Sequence, residues 1–320
     1  MRVTIGGASY IFSGDVLSDA GERGAYFELA KAVFGLDFQA WHDAGYMKGG
    51  FVPYVLFVGA AAVSSVGVCV NYVSEDGVCV NGVNVNGMCV NCEGARPYGA
   101  HKRYAQISTV MTLPEYRNKG LSGWLMEYVL AEWAAKADAV YLLANDSVAG
   151  FYPKFGFEEF YEYDFYAPVK RAPDVRGGAR KLNAADPRDM GLLAEKYRVY
   201  NPFSKIKVIN FDQFMFHCLT FRSGDLYYIV QYDAAAIAGY EGRNLICYDV
   251  YTDSGCTLGD ILGALARDDT ECAYLGFTPV DAAGWYAEIS REEDTHLFVL
   301  SGKENIFKDC KVKFPLLSRA

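Results

Sequence analysis

Hydrophobic residues follow two different spacings along the middle of this chain, and the change between them marks a turn. Residues 105–112 form a run rich in β-branched side chains, which predicts a strand. Apolar residues after the turn recur at helical spacing: Leu121, Trp124, Leu125, Tyr128 and Val129. This second pattern predicts a helix that ends near Ala137. The short basic turn 117–122 lies between the two elements.

The same patterns, with capping residues and glycine or proline breaks, place the other elements. Helices are predicted at 19–34, 38–46, around 151–152, and at 186–200, 211–221 and 257–266. Strands are predicted at 1–5, 54–57, 62–71, 139–144, 160–166, 226–232, 235–240, 245–251, 272–277 and 296–300. Helices followed by strands, a helix and more strands thus occur twice. We therefore expect an α/β (α+β) fold of two similar domains, each a mixed, mostly antiparallel sheet flanked by helices.

A stretch rich in proline, glycine and basic residues separates the two halves, and 169–180 is the predicted linker. It divides the chain into domains at 1–168 and 181–320. A local echo supports duplication, because Tyr141-Leu142 precedes an Ala-Gly-Phe-Tyr sequence and Tyr274-Leu275 precedes Ala-Gly-Trp-Tyr.

A near-repeat of five residues begins at Gly67 and returns three times between 77 and 91. Glycine and asparagine separate short valine-rich pieces, so we expect a β-hairpin extension within a repeat-rich insertion at 76–98. Four cysteines fall in this region: Cys69, Cys79, Cys89 and Cys92. Four thiolates could hold zinc, but only one CxxC pair is present and no histidine lies at ligand spacing. We expect small apolar side chains here rather than a metal site.

Composition excludes several classes of function. With 320 residues, 52% of them hydrophobic, the chain is long enough for two well-packed domains. The formal charge of -9 argues against nucleic-acid binding and is compatible with an amine substrate. Nine cysteines, an odd number, favour reduced thiols and a cytoplasmic location. No charge occurs between Lys48 and Glu75, but Pro53 and valine alternation favour two buried strands over a membrane span.

The turn between the strand and the helix has the chemistry of an anion site. The first turn of a helix offers free N–H groups and the positive end of the helix dipole. Gly120 lets the backbone approach a phosphate closely, and Arg117 and Lys119 add positive charge. The sequence therefore predicts a site for a phosphorylated cofactor.

The residues from Val110 to Ser122, then Asn145, Phe151-Tyr152 and Phe155-Gly156-Phe157, resemble the GNAT superfamily of acyl-CoA-dependent N-acyltransferases. The signature of that family is an arginine or glutamine, two residues, glycine, one residue, and a further small residue. Arg117 and Gly120 match it, and Ser122 takes the last position. The resemblance covers roughly 19–166, and it implies acetyl-CoA as co-substrate of that domain. The second half also looks like a GNAT fold, in a degenerate form without the phosphate turn.

By this resemblance, strand residues pair with the pantetheine arm, the turn cradles the pyrophosphate, and an asparagine binds the cofactor arm. The implied cofactor-binding residues are Val110, Met111, Thr112, Arg117, Asn118, Lys119, Gly120, Leu121, Ser122, Asn145, Ser147 and Tyr152. Tyr152 is also the implied catalytic acid, beside the sulfur, although a buried aromatic at this position would equally serve the core.

The implied reaction is direct attack of a primary amine on the thioester within a ternary complex. Strand N–H groups would stabilise the oxyanion, and the thiolate would leave. Asp146, Glu162 and Asp164 are open alternatives for the general base, although Glu162 and Asp164 also fit a solvated strand face. The four histidines, His42, His101, His217 and His296, show no ligand spacing, and we expect structural roles for them.

The corresponding turn of the second half, 253–259, has no basic residue and opens with an acid. We expect this half not to bind CoA and to wall off the acceptor pocket. The leading function is N-acetylation of a small-molecule or peptide amine, without nucleic-acid or membrane partners. A non-catalytic acyl-CoA sensor or scaffold and an aminoacyl transferase of the tandem type remain alternatives. The acceptor and the oligomeric state cannot be read from the sequence.

Overall fold

The computed structural model of the protein describes residues 1–74, 101–172, 175 and 178–320. Most of the predicted repeat insertion, with Cys79, Cys89 and Cys92, and part of the predicted linker lie outside these residues. The helices are α1 Ala20–Phe34, α2 Gln39–Asp43, α3 Leu121–Lys136, α4 Pro187–Tyr197, α5 Phe211–Thr220 and α6 Leu258–Leu265. An irregular 3₁₀ segment spans Asp146–Phe155.

Sixteen strands occur in the described residues. Those of the first half are β1 Arg2–Ile5, β2 Ala8–Ser13, β3 Phe51–Val58, β4 Ala61–Ser74, β5 Lys102–Thr112, β6 Ala139–Ala144, β7 Phe157–Phe160 and β8 Tyr163–Pro168. Those of the second half are β9 Ala179–Lys181, β10 Lys207–Ile209, β11 Leu226–Ile229, β12 Ala234–Glu241, β13 Asn244–Tyr251, β14 Cys272–Leu275, β15 Tyr286–Ile289 and β16 His296–Leu300.

The described strands form two mixed, mostly antiparallel sheets with helices packed on them, which confirms the expected fold class. The order in the first sheet is β1-β2-β3-β4-β5-β6-β16-β7, with β10 pairing to β4. The order in the second is β15-β8-β14-β13-β12-β11-β9. Parallel pairs join β5 to β6 and β13 to β14.

The two sheets exchange strands across the predicted linker. Strand β16 lies between β6 and β7 and pairs antiparallel with both, so a late segment completes the first sheet. Strand β8 pairs with β14 and β15 of the second sheet. The single strand predicted at 160–166 was therefore wrong, because the chain leaves one sheet after Phe160 and enters the other at Tyr163. The division into two domains at a linker of residues 169–180 stays a prediction. In both sheets, strands that precede this segment in the sequence are hydrogen-bonded to strands that follow it.

Residues near the end of the sequence pack between the two sheets and carry buried polar groups. The side chains of Arg319 and Glu162, 8% and 7% exposed, form an ion pair. Arg319 also contacts Glu292 at 2.9 Å, and Glu162 accepts the Phe314 N–H. The Gln106 side chain binds the main chain of Ala320 through two 3.0 Å hydrogen bonds. These contacts fasten the last residues to β5 and to the segment between β7 and β8.

The helix boundaries follow the capping signals in the sequence. Asp19 accepts the N–H groups of Gly21 and Glu22 at the start of α1, and Asp186 with Pro187 opens α4. The buried face of α1, including Tyr26 and Phe27, packs with Phe38, Trp41 and Phe51 against the first sheet. No described helix is long and apolar enough to cross a bilayer.

Replacement of Arg319 by methionine leaves Glu162 as a buried, unpaired carboxylate, so we expect the free energy of unfolding to fall by about 3–5 kcal/mol. Urea denaturation measures this change. Adding Glu162→Gln to the same chain removes the stranded charge and should recover part of the loss. The control is Arg171→Met, which breaks the exposed pair with Asp268. Equal unfolding midpoints for the Arg319 and Arg171 variants would show that the buried pair contributes nothing.

Candidate functional site

Strands β5 and β6 diverge in the middle of the first sheet. Their parallel register runs from Tyr104–Ala139 to Ile107–Leu142 and ends there. Beyond that point β6 continues to pair with β16, while residues 108–112 of β5 pair only with β4 in the described structure. Main-chain groups on one side of β5 are therefore available to an extended ligand inserted between the strands.

A β-bulge in β5 lies at the start of this divergence. The register with β4 shifts between Ser65 and Gly67, so Thr109 and Val110 lie opposite Val66 alone. Thr109 has a φ of 43°, which is left-handed and unusual for a β-branched residue. Ser65 Oγ donates to the Thr109 carbonyl at 3.0 Å. A bulge of this kind bends its strand and re-aims the residues that follow, here Val110, Met111 and Thr112.

The basic turn follows directly and leads into α3. Asn118 and Gly120 have φ values of 61° and 80°, both in the left-handed region. Gly120 is the N-cap of α3, where no side chain accepts a hydrogen bond and no acid lies in the first turn. The N–H groups at the start of α3 are thus uncapped, next to exposed Arg117 and Lys119. Free N–H groups beside two positive charges are the chemistry that favours a bound anion.

The other described α-helices of eight or more residues all begin with a side-chain cap. Asp19, Asp186 and Asn210 cap α1, α4 and α5. Helix α6, at the corresponding place in the second half, has a complete capping box: Thr257 Oγ1 accepts the Asp260 N–H and Asp260 accepts the Thr257 N–H. The carboxylate of Asp260 occupies the position that an anionic ligand would need, so α6 cannot present the same site.

Polar contacts fix the turn to the end of β5. Thr112 Oγ1 lies 2.7 Å from Ser122 Oγ and 2.8 Å from Ser64 Oγ. Arg117 Nε donates to the Thr112 carbonyl at 3.3 Å, and Lys119 Nζ lies 4.6 Å from the centre of the Tyr116 ring. Met111 and Leu121, both 1% exposed, anchor the strand and the helix in the core. The predicted cofactor residues from Val110 to Ser122 therefore lie along one stretch of chain beside the divergence, with Met111 and Leu121 buried beneath the others.

The remaining predicted residues follow the end of β6. Asn145 does not cap the 3₁₀ segment, because its Nδ2 donates to Asp294 Oδ2 at 2.7 Å. The Asp294 carboxylate also accepts the Asp146 N–H at 2.6 Å, and these two contacts lower the pKa of Asp294, the N–H of Asp146 contributing most. Ser147 is exposed in the first turn of the same segment. Asp294 lies 149 positions after Asn145, and no pattern in the sequence links the two.

Tyr152 lies in the core beneath the divergence. It is 5% exposed and belongs to the same apolar cluster as Ile107, Leu121 and Leu142. Its ring centre is 5.9 Å from that of Phe298, on the late strand β16. Burial raises the pKa of the Tyr152 phenol to about 12, so the hydroxyl keeps its proton at neutral pH.

A comparison with known protein families finds a match within the first half. A family model described as an acetyltransferase (GNAT) domain matches residues 71–159, which contain the divergence, the basic turn, Asn145 and Tyr152. Residues 71–159 are thus similar to a GNAT acetyltransferase domain. This confirms the resemblance read from the turn and the residues that follow it. No curated protein gives a significant match.

Solved structures share the fold over nearly the whole chain. A probable N-acyltransferase of unknown function from Enterococcus faecalis V583 has a TM-score of 0.52 at 16% identity, covering 91% of this chain and 72% of its own. A GCN5-related N-acetyltransferase from Kribbella flavida has a TM-score of 0.51 at 13% identity, covering 91% and 71%. Eis1 from Mycobacterium abscessus has a TM-score of 0.50 at 15% identity, covering 90% and 73%. The shared fold therefore includes both sheets.

A cleft of about 850 Å³ adjoins the region that matches the family model and is lined by residues of both sheets. Leu143, Ala144 and Asn145, at the end of β6, form part of its wall, and Tyr248 and Tyr274 of the second sheet form another part. The cleft thus reaches the end of β6, one of the two strands that diverge. Sequence reasoning expected the second half to wall a pocket but named none of the residues that do so.

The three residues considered for a general base have different surroundings. Glu162 is buried in the ion pair with Arg319, which overturns its expected place on a solvated strand face. Asp146 is exposed and lies 2.7 Å from His296 Nε2. Asp164 lines the cleft and contacts Lys313 Nζ at 2.7 Å. Only Asp164 of the three lies in the cleft wall.

Gly67 lies opposite the bulge and has no room for a side chain. A Cβ at this position would lie 2.3 Å from Thr109 Oγ1 and 2.7 Å from the Phe51 ring. We expect Gly67→Ala to lower the free energy of unfolding by about 1–3 kcal/mol through overpacking. Gly123→Ala on α3, where a Cβ meets nothing within 4 Å, is the control and should leave stability equal or slightly higher. Identical denaturation curves for the two variants would contradict this account of the bulge.

Proposed function

We propose that the protein is an N-acetyltransferase that transfers an acetyl group from acetyl-CoA to a primary amine of a small molecule or peptide. The amine attacks the thioester directly in a ternary complex. The observation that carries this proposal is the uncapped, basic start of α3 beside the divergence of β5 and β6. An anion site and an open strand edge match the two parts of the cofactor, its pyrophosphate and its amide-containing arm.

In this proposal the cofactor lies along β5 and the start of α3. The pyrophosphate accepts N–H groups from Lys119 through Ser122, with Arg117 adding charge. The pantetheine amides pair with main-chain groups of Val110 and Thr112, which lie beyond the bulge. Asn145 binds the arm from the other strand once its amide turns from Asp294 toward the cofactor.

The reaction requires proton transfers from the amine and to the leaving thiolate, and it requires that the negative charge of the oxyanion be stabilised. The neutral amine attacks the carbonyl carbon, forms the C–N bond and gives up one proton to a base in the cleft. The oxyanion accepts N–H groups of the unpaired edge of β5. When the C–S bond breaks, the CoA thiolate leaves with the bonding electrons and takes a proton from the Tyr152 phenol. The base then releases the proton of the amine to water and Tyr152 takes one up from water, so that the net products are the amide and CoA as its thiol. A thiolate leaves readily, so this proton contributes only part of the rate.

The second half is proposed to serve the acceptor rather than a second cofactor. The N-terminus of its corresponding helix α6 is capped by Thr257 and Asp260. Its sheet lines the cleft opposite the end of β6. One cofactor site and one acceptor cleft therefore share the interface between the two halves.

Charge reversal at the turn should strongly weaken cofactor binding. We expect Arg117→Glu to weaken acetyl-CoA binding by about 100-fold or more, since it replaces attraction to the pyrophosphate with repulsion. Isothermal titration calorimetry measures the affinity. Arg171→Glu, an equal charge change at an exposed residue outside the turn, is the control and should bind normally. Unchanged affinity in the Arg117 variant would refute the assignment of the turn.

Removal of one hydroxyl tests the proposed acid. We expect Tyr152→Phe to lower turnover about tenfold or more while leaving acetyl-CoA affinity and the unfolding midpoint nearly unchanged, because the ring and its packing stay. Thiol release with a panel of primary amines measures turnover, and Tyr161→Phe, at a 59% exposed tyrosine, is the control. Wild-type turnover in the Tyr152 variant would remove it from the mechanism. Acetyl-CoA binding without thiol release from the unaltered protein would favour a sensor or scaffold.

A further inference from the structure

The two residues that follow β6 are held by an aspartate from the second half. Asn145 Nδ2 donates to Asp294 Oδ2 at 2.7 Å, and the Asp146 N–H donates to Asp294 Oδ1 at 2.6 Å. Asp294 lies in the connection between β15 and β16, at a φ of 53° in the left-handed region that aspartate tolerates. Both oxygens of its carboxylate are therefore engaged at the end of a strand that borders the divergence.

Asp294 differs in its contacts from the other acids of the cleft wall. In the described structure five carboxylates line the cleft: Asp164, Glu241, Glu288, Glu292 and Asp294. Asp164 is paired with Lys313 at 2.7 Å, and Glu292 is paired with Arg319 at 2.9 Å. The acids at 241 and 288 lie on β12 and β15 of the second sheet. Among these five described carboxylates, only that of Asp294 forms hydrogen bonds with the residues that follow β6.

Cofactor binding changes the hydrogen bonds of this carboxylate. In the proposed complex the Asn145 amide turns from Asp294 toward the cofactor arm. Oδ2 of Asp294 is then free, while the Asp146 N–H still holds Oδ1 and keeps the carboxylate at the end of β6. The contacts in the free protein lower the pKa of Asp294, the N–H of Asp146 contributing most. Loss of the Asn145 contact raises that pKa again, which makes the carboxylate a stronger base.

The charged groups around Asp294 keep it ionised and leave it accessible. The ring of His296 lies 2.7 Å from both Asp146 Oδ1 and Glu159 Oε1, and these contacts raise the pKa of His296, that of Glu159 contributing most. The positive charge of His296 attracts Asp294. Arg291, in the same connection, is exposed and lines the cleft. Asp294 is itself exposed, so an amine in the cleft can reach it.

Resting on the proposed N-acetyltransferase function, we infer that Asp294 is the general base of the reaction and that acetyl-CoA frees it by taking the amide of Asn145. As the amine nitrogen bonds to the carbonyl carbon of the thioester, one N–H bond breaks. Its proton passes to Asp294 Oδ2, and its electron pair stays on nitrogen. Asp294 then gives the proton to water, and Asn145 returns to the carboxylate when CoA leaves.

One substitution tests both parts of the inference. Asp294→Asn keeps an oxygen for the Asp146 N–H but cannot take the proton of the amine. We expect kcat, measured by thiol release, to fall about 100-fold, as expected for loss of a general base. We expect acetyl-CoA affinity, measured by calorimetry, to rise about fivefold, because a hydrogen bond to a neutral amide is weaker than one to a carboxylate. A structural defect would lower both quantities.

Two acceptors with the same carbon skeleton show whether proton transfer is the step that is lost. Ethylamine is mainly protonated near neutral pH, whereas 2,2,2-trifluoroethylamine is mainly neutral because its fluorine atoms withdraw electrons. The second amine also gives up its proton more readily after attack. We therefore expect Asp294→Asn to slow turnover of ethylamine about tenfold more than turnover of 2,2,2-trifluoroethylamine.

Asp309→Asn is the matched control, because Asp309 is also an exposed aspartate with a left-handed φ, 58°, and is not part of the cleft wall. It should change neither kcat nor affinity. Undiminished kcat in the Asp294 variant, or an equal loss with both amines, overturns the base role while acetylation by the unaltered protein upholds the proposed function. Unchanged or weaker acetyl-CoA binding overturns the exchange with Asn145. Absence of thiol release from the unaltered protein with every amine refutes the base role together with the proposed function.

Discussion

The backbone hydrogen bonds of β6 are the constraint on which the rest of the structure depends. On one side β6 pairs with β5 only as far as Leu142, and on the other it pairs with β16 from Tyr141 to Ala144. Because β16 satisfies that edge, β6 can stay extended where it separates from β5. The opening for a ligand therefore depends on a strand from the far end of the sequence.

The two halves differ in how the start of the corresponding helix is capped. The first N–H groups of a helix can be capped by side chains of the protein or left free to bind a ligand. Both arrangements occur in this chain, at corresponding places in the two halves. Gly120 leaves the start of α3 uncapped among basic residues, whereas Thr257 and Asp260 satisfy the start of α6. The second half keeps the fold and contributes its sheet face to the cleft. The half whose helix start is capped by its own side chains is thus also the half that contributes its sheet to the cleft wall.

Local features of the fold and site could be read from the sequence, and long-range ones could not. Asp19, Pro187 and Thr257 marked their helices, and Gly120 with its basic neighbours marked the turn before α3, because capping and turn chemistry depend on a few neighbouring residues. The exchange of β8 and β16 was missed, since strand partners are chosen by packing across the whole chain. The burial of Glu162 and the capture of Asn145 by Asp294 were missed for the same reason, as their partners lie about 150 positions away.

The position of β16 has a consequence for synthesis of the chain. His296 lies 150 positions after Asp146, so on the ribosome the open edge of β6 waits for roughly half of the protein to be translated. During that time the apolar strand β6, with unpaired main-chain N–H and C=O groups along one edge, is exposed to other nascent chains. Completion of the first sheet is a late, non-local event, which is slow by its topology. Protection by a chaperone during translation would matter more for this chain than for one whose sheets close in sequence order.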